Sequence, residues 1–116
     1  MRQVLILGAG GLGRELFWWA QEANLKPIGF IDDCSHALDT FEGYAPILGS
    51  IDTAPLTHPI LCGIGQNALR QICIERLLAR GATFCSCIHP QAKVIHATLG
   101  EGAVLAPFSY IGANAH

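Results

Sequence analysis

The sequence predicts an α/β fold: a small Rossmann-like parallel-sheet domain over residues 1–87, followed over residues 88–116 by the first coil of a hexapeptide β-helix. Three observations carry this prediction. Short aliphatic runs alternate with helix-period segments, a glycine-rich turn joins the first run to the first helix, and the last part of the chain repeats with period six. Composition agrees: of 116 residues 51% are hydrophobic and 14% charged, which fills a core and excludes a disordered chain. A formal charge of −2 gives no field to attract nucleic acid or an anionic membrane. The longest apolar stretch near the N-terminus, Val4 to Leu7, is too short for a signal peptide or a membrane span. The five cysteines form an odd set without a CxxC pair, so a cytoplasmic protein with reduced thiols is expected.

The first strand is read at Gln3 to Leu7, short, aliphatic and stopped by glycine, as a strand buried on both faces should be. From Gly11 the spacing turns helical, with Leu12, Leu16, Trp19, Ala20 and Ala23 as the apolar stripe and Asn24 as its end. Trp18 and Trp19 are adjacent and cannot both enter one core, so one is expected to pack against a neighbouring domain or subunit. A second strand follows at Pro27 to Ile31, with Asp32 and Asp33 at its carboxyl end. Residues 34–58 are punctuated by glycine and proline, with one short strand expected at Ala45 to Leu48. Pro59 to Ile64 reads as another buried strand. A helix over Asn67 to Arg80 has Leu69, Ile72, Cys73, Arg76 and Leu77 on one side and is stopped by Gly81. Ala82 to Ile88 reads as a further strand.

Beyond Ile88 the period changes. Leu99, Leu105 and Ile111 each open a hexad with a small residue second and Ala or Ser fifth, and looser hexads start at Ile88 and Val94. The step from Val94 to Leu99 is one residue short. Aliphatic corners stack inside such a prism and three hexads close one coil, so Leu99 to His116 makes about one coil. A single coil cannot bury its own faces, and no polar cap follows, so the chain is expected to be a shortened version of a longer protein.

Gly8, Gly10 and Gly13 fit the GxGxxG spacing directly after a strand and at the opening of a helix. The first glycine permits the turn, the second lets the backbone approach a diphosphate, and the third lets helix and strand pack closely. The helix N-terminus adds free N–H groups and a positive dipole end. Asp32, 19 residues after Gly13, stands where an acidic side chain meets a nucleoside, and Asp33 joins it. Gly63 to Asn67 repeats the strand–glycine–helix design at a later strand end, so Gly65 should face the first loop; Asn67 reads equally as a ligand contact or a helix N-cap. Arg70, one turn on, reads as a solvated helix residue within reach of a phosphate. No histidine pair has zinc-ligand spacing together with cysteine, so no metal site is expected.

The succession GAGGLGRE, GFIDD, CGIGQNALR and IHP leading into hexads resembles the NeuD/PglD family of sugar O- and N-acetyltransferases along the whole chain. The resemblance implies an N-terminal domain that holds a sugar or nucleotide-linked sugar. It implies also a left-handed β-helix that trimerises and binds acetyl-CoA between subunits, and a histidine general base on that helix. Carried over by motif, Gly10, Gly11 and Leu12 form the loop against the sugar nucleotide, Asp32 and Asp33 meet the base, and Gly65 packs close to it. Many members have histidine where this chain has Leu12, which points to a different substrate. No residue here matches the family's catalytic histidine, His116 included. The expectation is therefore an acetyl-CoA-dependent acyltransferase acting on a sugar for surface glycan synthesis. This chain would carry mainly the substrate-binding half, be inactive alone and bind acetyl-CoA poorly. A non-catalytic nucleotide-binding module with an oligomerising hexapeptide tail and an NAD-dependent oxidoreductase are the alternatives, the latter weakened because hexads stand where its substrate domain would follow.

Overall fold

The computed structural model describes residues 1–88 and, in the remainder of the chain, three two-residue strands. In chain order the elements are β1 (Arg2–Leu7), α1 (Gly11–Glu22), β2 (Leu25–Ile31), β3 (Ile47–Gly49), β4 (Ile60–Cys62), α2 (Asn67–Ala79), β5 (Cys87–Ile88), β6 (Lys93–Val94), β7 (Val104–Leu105) and β8 (Tyr110–Ile111). The first four strands form one parallel sheet in the order β3-β2-β1-β4. Strand β1 lies at its centre, and the chain crosses from β1 through α1 to β2 and from β4 into α2, as parallel pairing requires.

The unbroken aliphatic run of β1 is explained by alternation between two covered faces. Val4 and Ile6 point to one side and join Leu16, Phe17 and Ala20 of α1, Phe30 and Leu61. Leu5 and Leu7 point to the other and join Ile31, Ile60, Cys62 and, from α2, Cys73 and Leu77. All four β1 residues are essentially without solvent contact. At roughly 2 kcal/mol per fully buried aliphatic side chain, this strand is the largest single source of apolar burial in the domain. Pro27 has no N–H to give the ladder, and the β1–β2 register shifts directly after its pairing with Val4.

Several element boundaries differ from the expectation. Strand β2 starts earlier, at Leu25; β3 is displaced to Ile47–Gly49; and β4 is only Ile60–Cys62, with Gly63 to Gly65 in the following loop. The strand expected over residues 82–88 forms only in part. Phe84 makes an isolated parallel bridge to Ile60, held by Ile60 N–H to the Thr83 carbonyl and Cys85 N–H to the Ile60 carbonyl. The chain then leaves the sheet, and Cys87–Ile88 pair instead with Val104–Leu105. The buried stripe of α1 is Gly13, Leu16, Phe17 and Ala20, so Phe17 replaces Leu12, which turns to the carboxyl edge of the sheet. Only Cys73 and Leu77 of α2 are buried; Leu69 and Ile72 are about half exposed. Trp19 packs on the core, while Trp18 lies on the surface of α1 and donates from Nε1 to Tyr44 Oη at 3.3 Å.

In the later part of the chain β5 pairs with β7 and β6 with β8, both parallel. The partners are Cys87 with Val104, Ile88 with Leu105, Lys93 with Tyr110, and Val94 with Ile111. Each pair is separated by the same 17 residues. Histidines 89, 96 and 116 and most of the hexad positions lie outside the described residues. Within them, no helix is long and apolar enough to cross a membrane.

Candidate functional site

A crevice of about 400 Å³ opens at the carboxyl ends of β1, β2 and β4. Its floor is the β1–α1 turn. Gly8 holds φ of +92°, which reverses the chain, and its N–H donates to the Ile31 carbonyl at 2.8 Å. Gly13 and Gly63 touch backbone to backbone. A Cβ on Gly63 would lie 2.7 Å from the Gly13 Cα, and one on Gly13 would collide with the Gly8 carbonyl. Those glycines are required by the protein's own packing. Gly10 and Gly11 are not: a Cβ at either position meets nothing within 4 Å. Their bare backbone faces the crevice at the N-terminus of α1, where Gly10 is the N-cap and no side chain caps the helix. The unsatisfied N–H groups of that first turn are therefore presented to whatever enters.

The acidic pair forms the wall at the end of β2. Asp32 accepts from the Ala9 N–H through Oδ2 and from the Cys34 N–H through Oδ1, both at 2.8 Å. Asp33 Oδ1 accepts from the Ile51 N–H at 3.0 Å. The carboxylates thus fix three backbone segments around the opening while still lining it. The opposite wall is apolar: Leu12, Ile64, Leu69 and Cys73 line it, with Ile51 beside the acidic pair. Leu12 reaches across the mouth, its Cδ2 lying 3.5 Å from where a Gly65 Cβ would stand. Among the described residues no lysine or arginine lines the crevice.

Of the residues expected at the site, Gly8, Gly10, Gly11, Leu12, Asp32, Asp33 and Gly65 line the crevice. Gly13 supports it from behind. Asn67 is not the N-cap, and it does not line the crevice. It is the first residue of α2, the N-cap is Gln66, and it is Gln66 that borders the crevice. Arg70 also points elsewhere: its Nε donates to Cys62 Sγ at 3.4 Å, beside a separate cavity of about 300 Å³ between α2 and residues 82–84. Ile51, Leu69 and Cys73 went unrecognised as lining residues. Leu69 and Cys73 stand on the apolar side of α2 already visible in the sequence, but Ile51 lies in an irregular segment with no periodicity to mark it.

His36 pairs with Asp39 and His58 with Thr57, both at 2.8 Å and away from the crevice. Among the described residues no group of three or more His, Cys, Asp or Glu is placed to hold a metal. The cysteines carry no disulfide. Burial pushes the Cys73 and Cys85 thiols up and Cys87 up to about 11, so these thiols are neutral core groups rather than nucleophiles.

A parallel 3-2-1-4 sheet with a glycine turn and a ligand-sized crevice at its carboxyl edge defines a Rossmann-like α/β domain. More particularly, the PglD N-terminal domain family matches residues 3–77, and the chain belongs to that family. No curated protein matches it. Among solved structures, the acetyltransferase domain of PglB from Neisseria gonorrhoeae in complex with acetyl coenzyme A is 26% identical. It aligns with a TM-score of 0.77 over 97% of this chain and 56% of that one. A mutant perosamine N-acetyltransferase from Caulobacter crescentus, in complex with CoA and GDP-perosamine, is 22% identical with a TM-score of 0.78, over 97% of this chain and 55% of that one. PerB from the same organism, with the same ligands, aligns at 22% identity and a TM-score of 0.72, over 97% and 58%. The chain spans little more than half the length of these proteins.

Proposed function

We propose that this chain binds the nucleotide-linked sugar acceptor of an acetyl-CoA-dependent sugar acetyltransferase, with residues 1–87 as the binding domain and 88–116 as the start of a left-handed β-helix. The observation that carries the reading is the contrast among the glycines. Gly8, Gly13 and Gly63 are explained by the fold, whereas Gly10 and Gly11 are demanded by no contact among the described residues and keep the α1 N-terminus open. A phosphate at Gly10 to Leu12 would accept from the free N–H groups of the first turn, and a nucleoside would lie between Asp32–Asp33 and the apolar wall. The N–H groups of a base or the hydroxyls of a ribose can donate to the remaining acceptor capacity of the two carboxylates.

Acetyl-CoA supplies the acetyl group as a thioester. The crevice suits it less than the acceptor: one helix N-terminus meets one phosphate group, whereas coenzyme A carries a further phosphate on its ribose, for which the described lining offers two carboxylates and no lysine or arginine. Among the described residues no histidine lines the crevice either, so the described domain is read as contributing binding and orientation, and the proton transfer of the acyl step is assigned to the hexad-bearing part of the protein. The constant 17-residue offset of β5–β7 and β6–β8 supports the reading of residues 88–116 as the start of a β-helix. Three hexads repeat at about 18 residues, and the short step from Val94 to Leu99 removes one. The acetyltransferase neighbours, crystallised with acetyl-CoA, or with CoA and GDP-perosamine, support the same reading. A trimeric, cytoplasmic whole protein is part of the proposal.

Isothermal titration of this chain with UDP, CMP, GDP, NADH and acetyl-CoA tests it. Binding of a nucleoside mono- or diphosphate without binding of acetyl-CoA is expected. Binding of NADH alone would overturn the reading in favour of an oxidoreductase.

A further inference from the structure

One stripe of α2 serves both sides of the crevice. Leu69, Cys73, Arg76 and Arg80 follow at spacings of four, three and four residues and so share a helix face that runs on to the C-cap. The first two line the crevice. The last two hold the turn of residues 50–54, whose Ile51 side chain lines the crevice beside the acidic pair. Arg80 donates from Nη1 to the Ile51 carbonyl at 2.6 Å and from Nη2 to the Ala54 carbonyl at 2.9 Å. Arg76 Nη2 pairs with Asp52 Oδ2 at 2.6 Å. On its other side the turn is tied to β2, where the Ile51 N–H donates to Asp33 and the Asp32 N–H to the Gly49 carbonyl. Gly49 lets it come close, since a Cβ there would stand 2.8 Å from the Ala54 backbone.

We infer that Arg80 is a positioning residue for the crevice, acting through the Ile51 turn and touching no ligand itself. Its guanidinium satisfies two carbonyls at once with a geometry that lysine cannot reproduce. Ile51 is 5% exposed and Ala54 fully buried, while Arg80 itself is exposed, so without its guanidinium water takes its place at both carbonyls, the tie to α2 is lost and the turn is free to open. Opening moves Ile51 away from the crevice and pulls its N–H from Asp33. The ligand effect of this inference rests on the nucleotide-binding reading above; the effect on the turn does not.

The test uses the whole chain as Arg80→Lys, Arg80→Ala, Ile51→Ala and the Ile51→Ala/Arg80→Ala double variant. Amide hydrogen exchange is read at Ile51, Ala54 and Leu5 to Leu7, and UDP, GDP and CMP are titrated. The expected result for Arg80→Ala is exchange at Ile51 and Ala54 about tenfold faster with β1 unchanged, and affinity for the bound nucleotide about fivefold weaker. Arg80→Lys falls between, and in the Ile51→Ala background Arg80→Ala weakens binding no further. Unchanged exchange at Ile51 and Ala54, or an equal rise at β1, would overturn the inference, as would a full affinity loss persisting in the Ile51→Ala background. If the unaltered chain binds neither diphosphate nor CMP, the proposed function fails, and the exchange pattern alone decides whether Arg80 holds the wall.

Discussion

A methyl group on Gly13 would drive into the carbonyl oxygen of Gly8, and neither end of that contact can yield, because both belong to the turn between β1 and α1. Gly13→Ala is therefore expected to cost about 3 kcal/mol or more, read from the urea midpoint. Gly10→Ala meets only open space at an unstrained φ of −77°. It should leave the midpoint within about 0.5 kcal/mol of the parent while abolishing nucleotide binding. Loss of stability in Gly10→Ala, or undiminished binding, would refute the division between structural and ligand-facing glycines. The buried thiols give a second prediction at this scale. Cys87 is raised from its ordinary 9.0 to about 11 by burial, with Cys85 adding in the same direction. The unfolded thiol ionises first as pH rises. Stability is thus fully present below about pH 9 and falls through pH 11, by roughly 1.4 kcal/mol per unit for one group. Denaturation from pH 8 to 11 should show this slope, shallower in Cys87→Ala. A thiol reagent at neutral pH should modify Cys34, the one exposed cysteine, and reach the other four only on unfolding.

At the scale of the element, α1 joins the fold through one short stripe. Phe17 stacks on Phe30 at 5.7 Å between ring centroids and meets Tyr44 at 5.2 Å, whereas Trp18 is about half exposed. Phe17→Ala is expected to cost about 3–5 kcal/mol and Trp18→Ala about 1 kcal/mol or less; equal losses in the denaturation midpoint would contradict the assigned packing. The spacing of α1 was legible, but which of the adjacent aromatics entered the core was not, because Phe17, Trp18 and Trp19 are all apolar and the chain alone does not fix the rotation of the helix. The loop of residues 34–46 decides it by bringing Tyr44 over Phe17 and placing Phe41 under the Arg14 guanidinium at 3.9 Å. Gly81 marks the end of α2 in the sequence, and its φ of +88° in the structure favours glycine there. The expected strand over 82–88 failed because a run of β-formers shows capacity to pair without showing the partner. Phe84 finds β4, while Cys87 and Ile88 find β7.

For the whole molecule, binding at the crevice and folding are linked. A nucleoside diphosphate at one hundred times its dissociation constant should add about 2.7 kcal/mol of stability, seen as an upward shift in thermal midpoint. Acetyl-CoA at the same concentration should leave the midpoint where it was. A shift with acetyl-CoA comparable to that with the diphosphate would contradict the assignment of the crevice to the acceptor. The crevice belongs to the molecule rather than to any motif, since its walls come from the turns after β1, β2 and β4, the 50–54 turn and the first half of α2.

The α/β class, the glycine turn at the end of β1, the acidic pair at the end of β2, the second glycine loop and the six-residue period are all legible in the order of residues alone. These are local facts: periodicity, steric demand and turn chemistry are written in neighbouring residues. The 17-residue offset of the hexad strands came from the structure, and the short step from Val94 to Leu99 accounts for it only afterwards. Which glycines serve the fold and which the opening becomes visible in the folded chain, because that depends on Gly13 meeting Gly8 and Gly63 across the turn. The fold alone discloses that Asp32 and Asp33 spend hydrogen bonds on Ala9, Cys34 and Ile51, and that Arg80 holds a wall 26 to 29 residues away in sequence. Such contacts join distant segments, and their geometry exists only once the sheet has set the strand ends side by side.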